Sequence, residues 1–133
     1  MAVLISNQQD KRSISEKKIQ KTAQAILGAL ASPDAELSLL VVDDDGIAPM
    51  NRQYLGRTGP TNVIAFPMQE GDFSAMNPHL LGDVVISVET CQREAEAADI
   101  AFERRFAELL IHGILHLFGY DHEKSSAEAE QML

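Results

Sequence analysis

Three of the four histidines in this 133-residue chain fall between His112 and His122. His112 and His116 are four residues apart, a spacing that puts two side chains one turn apart on one face of a helix. Gly119 follows three residues after His116. Glycine takes the left-handed conformation that ends a helix without strain, so the chain can turn back there and bring His122 to the same point. Three imidazoles on a divalent ion leave a fourth position open, the arrangement of a catalytic zinc rather than a structural one. The stretch therefore predicts a helix ending near Gly119 and one zinc ion per chain, held by His112, His116 and His122.

The spacing is also that of the long zinc-protease motif, except that the protease places a Glu after the first histidine as general base. Here that position is Gly113. A helical glycine costs about 1 kcal/mol against alanine, so close packing or access beside the metal is the expected reason for it. Phe106, Leu109, Leu110, Ile114 and Leu117 form an apolar stripe along the same helix, which opens at Phe102 and is expected to be buried against a sheet. Arg105 and Glu108 lie two turns and one turn before His112, as supports of the metal site or as a plain surface pair.

The rest of the chain alternates strand and helix signals. Ala2 to Ile5 reads as a short strand. Ile19, Ala23, Ile26, Leu27 and Leu30 make the stripe of an amphipathic helix capped by Ser13 or Ser15. Lys17, Lys18 and Lys21 lie on its wet face, and Ser32-Pro33-Asp34 ends it. Leu37 to Val42 reads as a buried strand. Asp43 or Asp44 caps a helix that begins near Gly46 and runs to Tyr54 or Leu55, which explains the Asp43-Asp44-Asp45 run without a metal. Gly56-Arg57-Thr58-Gly59-Pro60 reads as a flexible basic turn. Thr61 to Pro67 is a strand closed by proline, Glu70 to His79 a loop, Leu81 to Ser87 a strand and Glu89 to Ala98 a helix. Ser125 or Ser126 caps a last short helix that ends at Leu133. The alternation predicts an α/β (α+β) single domain over 1–133, with one mixed sheet of about four strands packed by helices and a zinc-bearing central helix.

Three of these stretches resemble the YbeY family of bacterial rRNA-maturation endoribonucleases. His112 to His122 carries every fixed position of its H-G-x-L-H-L-x-G-Y-D-H signature. Asn51, Tyr54, Gly56, Pro60, Thr61, Asn62, Val63, Phe66 and Pro67 match a second motif, and Leu81-Gly82-Asp83-Val84-Val85-Ile86-Ser87 a third. The resemblance covers most of the chain from about Leu37 to His122, and the first thirty residues resemble the family weakly. One departure stands out: the arginine that follows the motif's tyrosine, associated with catalysis or RNA contact, is Leu55 here, and Arg57 lies two residues on.

The resemblance implies a zinc-dependent endoribonuclease specific for single-stranded RNA. It further implies a role at the 3′ end of small-subunit 16S rRNA and in ribosome quality control, with the ribosome or small subunit as partner and no DNA. Arg57 is the candidate catalytic residue beside the metal. A net charge of −9 argues against tight non-specific RNA binding. Two rival readings stay open. One is a metallopeptidase or amidase, which shares the ligand spacing but lacks the base. The other is a ribosome assembly factor with a structural zinc and weak catalysis. No apolar run is long enough to span a membrane. The single cysteine, Cys91, and the lack of a signal-peptide pattern predict a cytoplasmic protein.

Overall fold

The computed structural model describes residues 3–68 and 79–119. Ala2, most of the Glu70–His79 loop, His122 and the last helix of the sequence reading lie outside them. The elements run β1 (Val3–Asn7), α1 (Glu16–Ala29), β2 (Glu36–Val42), α2 (Asp44–Leu55), β3 (Val63–Pro67), β4 (Leu80–Ser87), α3 (Val88–Ala98) and α4 (Phe102–Leu117). They form an α+β domain around one mixed four-stranded sheet of order β1-β2-β4-β3. β1 and β4 both run parallel to β2, while β3 is antiparallel to β4 and forms an edge.

Among the described residues the expected elements are present, with local chemistry deciding their ends. Ser15 caps α1, its side chain accepting the Lys18 N–H at 3.2 Å. Asp43 caps α2 by accepting the Gly46 N–H at 2.9 Å, so that helix starts at Asp44, before Gly46. Asn62 stands just ahead of β3, which begins at Val63 rather than Thr61. The Asn62 side-chain oxygen accepts the Val63 N–H at 2.6 Å, and its carbonyl accepts the Ser87 N–H at 3.0 Å. Ser87 ends β4 and caps α3 directly, so that helix starts at Val88, one residue before Glu89. His79 is a turn residue ahead of β4, and its carbonyl accepts the Glu36 N–H at 2.7 Å.

Strand alternation sorts the apolar side chains onto two faces. Leu37, Leu39 and Val41 of β2, with Val84 and Ile86 of β4, join α1, α3 and α4 in the larger core. Val42, Val85 and Ile64 meet Ile47 of α2 on the other face. The buried stripe of α4 includes all five residues expected from the sequence, so this helix packs centrally on the sheet. Gly82 marks an irregularity where β4 pairs with β2, at φ 141°. A side chain there would collide with the Phe66 carbonyl and lie 3.1 Å from Leu117 Cδ2. This glycine lets β3, β4 and the end of α4 approach one another.

Candidate active site

At about 100° per residue, Arg105, His112 and His116 fall within roughly 40° of one another on α4. They occupy one flank of the helix, beside its buried stripe, and both histidines are half-buried. The opposite flank faces α1 across a cavity of about 280 Å³ lined by Ile14, Lys18, Phe102, Phe106 and Leu110. That cavity holds none of the site residues. The histidine flank belongs to the side of the helix that meets β3 and α3.

Gly113 explains how the histidines come so close to the sheet. A β-carbon there would lie 2.8 Å from Val84 Cγ1 and 3.3 Å from Val63 Cγ2. Valine side chains in a strand are stiff, so neither neighbour yields easily. The position taken by the protease's Glu is therefore pressed against β4 and β3, with no room for a side chain. At its end α4 closes as expected: Gly119 has φ 89°, and its N–H donates to the His116 carbonyl at 3.0 Å.

Arg105 is more than half of a surface pair. Its guanidinium donates to Glu94 on α3 at 3.0 and 2.9 Å and to Glu108 at 2.9 Å. Glu94 in turn accepts from the Asn62 amide at 3.1 and 3.2 Å. Burial disfavours the charge on Arg105, but its bonds to Glu108 and Glu94 outweigh this and raise its pKa above the ordinary value. The chain Asn62–Glu94–Arg105–Glu108 thus ties the start of β3 to α3 and to the histidine flank. Sequence reasoning missed Glu94, which lies eleven residues from Arg105 and carries no motif.

Arg57 lies in the loop after α2. The turn is anchored rather than flexible: the buried Asn51 donates its amide to the Gly59 carbonyl at 2.9 Å, and its own carbonyl accepts the Arg57 N–H at 3.3 Å. Gly56 makes the turn possible by taking φ 67° as the helix cap. Leu55 and Arg57 are both exposed. Because α2 and α4 cover opposite faces of the sheet, the edge strand β3 lies between this loop and the histidine flank. The structure thus brings His112 and His116 together and sets Arg57 across β3 from them.

The donor set suits a metal such as zinc: two imidazoles on one flank, backed by apolar strands. Glu108 is engaged by Arg104 and Arg105. Cys91 is buried, and burial pushes its thiol up to about 12, which removes it as a ligand or nucleophile. Among the described residues no group of three or more His, Cys, Asp or Glu is placed to hold an ion; the third ligand of the sequence reading, His122, lies outside them. The aspartate run is structural. Asp44 accepts from Ser87 and Thr90 at 2.7 Å each and pairs with Arg93 at 2.9 Å. Burial raises its pKa, but those hydrogen bonds and the Arg93 charge win and lower it.

The sequence profile of the family described as endoribonuclease YbeY matches residues 4–133. The chain belongs to the YbeY endoribonuclease family. Relatives named endoribonuclease YbeY include one from Geobacter sulfurreducens, 53% identical over 99% of this chain and 89% of its own. Another, from Aquifex aeolicus, is 40% identical over 91% of this chain and 79% of its own. A Thermotoga maritima protein solved in solution superposes with a TM-score of 0.60 at 27% identity, covering 92% of this chain and 76% of its own. The match extends the likeness to the YbeY family beyond the three motifs, into the N-terminal strand and helix.

Proposed function

We propose that this protein is a zinc-dependent endoribonuclease that cleaves single-stranded RNA. Its expected substrate is ribosomal RNA, at the 3′ end of the small-subunit 16S molecule, in the cytoplasm and in association with the ribosome or small subunit. The observation that carries the reading is the joint placement of His112 and His116 on the flank of α4 beside the face that Gly113 holds against Val84. Membership of a family whose relatives are named endoribonucleases supports it. In this reading His112, His116 and His122 hold the ion.

Bound zinc supplies Lewis-acid polarisation of a phosphoryl oxygen and an activated nucleophile at neutral pH. The chain's own contribution is placement. Gly113 sets the depth of the histidines against the sheet. The Asn62–Glu94–Arg105 chain fixes α4 relative to the start of β3. Arg57 offers a guanidinium to the phosphate, where negative charge builds in the transition state.

The Gly113 contact also argues against the peptidase reading, since a general base in that position has no space. The assembly-factor reading draws on Leu55 and on the net charge of −9, which favour weak catalysis. One experiment separates the three. Pure protein with zinc should cleave single-stranded rRNA, and a folded His116→Ala variant should not. Peptide cleavage without RNA cleavage would support the peptidase, and zinc-stabilised folding with neither activity the assembly factor.

A further inference from the structure

The last turn of α2 presents Tyr54 and Leu55 to solvent at 59% and 48% exposure, and they are among the few large apolar side chains so exposed in the described residues. Tyr54 is nevertheless held in place. Its ring meets Phe66 of β3 edge-to-face, with centroids 5.1 Å apart and planes at 78°. One side of Tyr54 is thereby fixed by packing while much of the ring stays open.

The charges around it are distinctive. Arg12, Arg93, Arg104 and Arg105 each pair with a carboxylate. Arg52 and Arg57, on either side of Tyr54 in sequence, are exposed, and among the described residues neither side chain is in an ion pair. Arg52, two residues before Tyr54 on α2, points to the other side of that helix, whereas Arg57 follows in the loop, so in this acidic protein the uncommitted guanidinium of Arg57 close after an open aromatic ring is a local exception to the global charge. A guanidinium already shared between two carboxylates, as in Arg105, has little left to give a phosphate. Arg57 has all of it.

The strip also lies at the right level of the sheet. Phe66 pairs with Asp83 of β4, next to Gly82, where the end of α4 comes in through Leu117. Leu117 follows His116 directly. Tyr54 and the histidine-bearing end of α4 therefore flank the same short stretch of edge strand β3 from opposite faces.

We propose that Tyr54 is a stacking platform for one unpaired base of single-stranded RNA, with Arg57 holding an adjacent phosphate as the strand crosses the edge of β3 toward the histidines. This rests on the RNA-cleaving reading above and deepens it. Base stacking on an aromatic ring tolerates any sequence but needs a base free of its duplex. The strip thus supplies selection for single strands without base-specific contacts.

The test uses full-length protein with zinc and a short labelled oligouridylate. Binding is read by fluorescence anisotropy in a His116→Ala background so that the probe survives, and KM and kcat are read in the parent background. Tyr54→Ala and Tyr54→Leu should each weaken binding and raise KM by at least about fivefold, while Tyr54→Phe stays near the parent. The leucine variant keeps apolar packing on Phe66, so its loss reports the ring face rather than stability. Arg57→Ala should weaken binding and make it less sensitive to salt. Leu4→Ala, a change at a still more exposed apolar side chain on β1, should do nothing. A parent that cleaves RNA while Tyr54→Leu binds and cleaves like it overturns the stacking platform alone. A parent that neither binds nor cleaves single-stranded RNA overturns the functional reading, and the platform with it.

Discussion

Gly113 and Val84 are packed so that a single added carbon on the glycine would lie 2.8 Å from the valine's Cγ1. Overpacking a rigid site costs about 1–3 kcal/mol, and the gain in helix propensity from Gly to Ala returns up to about 1 kcal/mol. Gly113→Ala should therefore destabilise the protein by about 1–2 kcal/mol, measured by urea denaturation. Trimming the partner in Gly113→Ala/Val84→Ala should recover part of that loss relative to Val84→Ala alone. Gly113→Glu, which rebuilds the protease motif, should unfold the domain rather than create a peptidase. Gly113→Ala as stable as the parent would mean that α4 can lift off the sheet at no cost.

Asp44 carries a pH prediction. Its side chain is 19% exposed and accepts from Ser87, Thr90 and Arg93. Its pKa is lowered on folding, so its stabilisation is fully present above the ordinary carboxylate range and lost as pH falls through the folded value. Asp44→Asn should cost about 2 kcal/mol at neutral pH. The gap between variant and parent should close as the solution is acidified below the ordinary carboxylate range. Thermal melts across that range check it; a gap that does not narrow would place the loss in packing rather than charge.

Much of the fold, and the placement of His112 and His116 on one flank of α4, was readable because the signals are local. The period of Phe106, Leu109, Leu110, Ile114 and Leu117 defines the buried face of α4, and that face forces His112 and His116 onto one flank. The Asp43 cap and the Gly119 turn are likewise decided within a few residues. The pairing of β4 between β2 and β3 was not readable, because β2 and β4 are both mostly apolar and either could be central. Nor was the Asn62–Glu94–Arg105 chain. Asn62 and Glu94 are 32 residues apart and meet only once α3 crosses the end of β4. The Gly56–Pro60 turn misled for a related reason: its glycines signal freedom, whereas the buried Asn51 that anchors it lies in the preceding helix.

The metal assignment predicts one zinc per chain on His112, His116 and His122. Elemental analysis of protein purified without chelator, then supplemented with zinc, should find it. His116→Ala and His122→Ala should each lose most of the metal, whereas His79→Ala should keep it, since His79 stands before β4 and outside the motif. Full zinc content in His122→Ala would leave the ion on α4 and overturn the three-histidine set.

Arg57 carries the phosphate-contact prediction. The arginine that the resemblance implies after Tyr54 is absent, and Leu55 stands there, 48% exposed at the end of α2. Arg57 follows two residues later in a loop anchored by Asn51, without an ion-pair partner among the described residues. An anchored loop with an uncommitted guanidinium suits phosphate contact across β3, and a phosphate in the transition state gains from that charge. Arg57→Ala should lower RNA cleavage by at least about tenfold, equivalent to about 1.4 kcal/mol of transition-state stabilisation. Its Tm should hardly move, because an exposed arginine without a partner adds little to folding. Leu55→Arg in that variant should restore activity if both positions reach the same phosphate. If Arg57→Ala cleaves at the parent rate while Leu55→Arg alone raises it, the phosphate contact belongs to position 55, and this chain works with a weakened site.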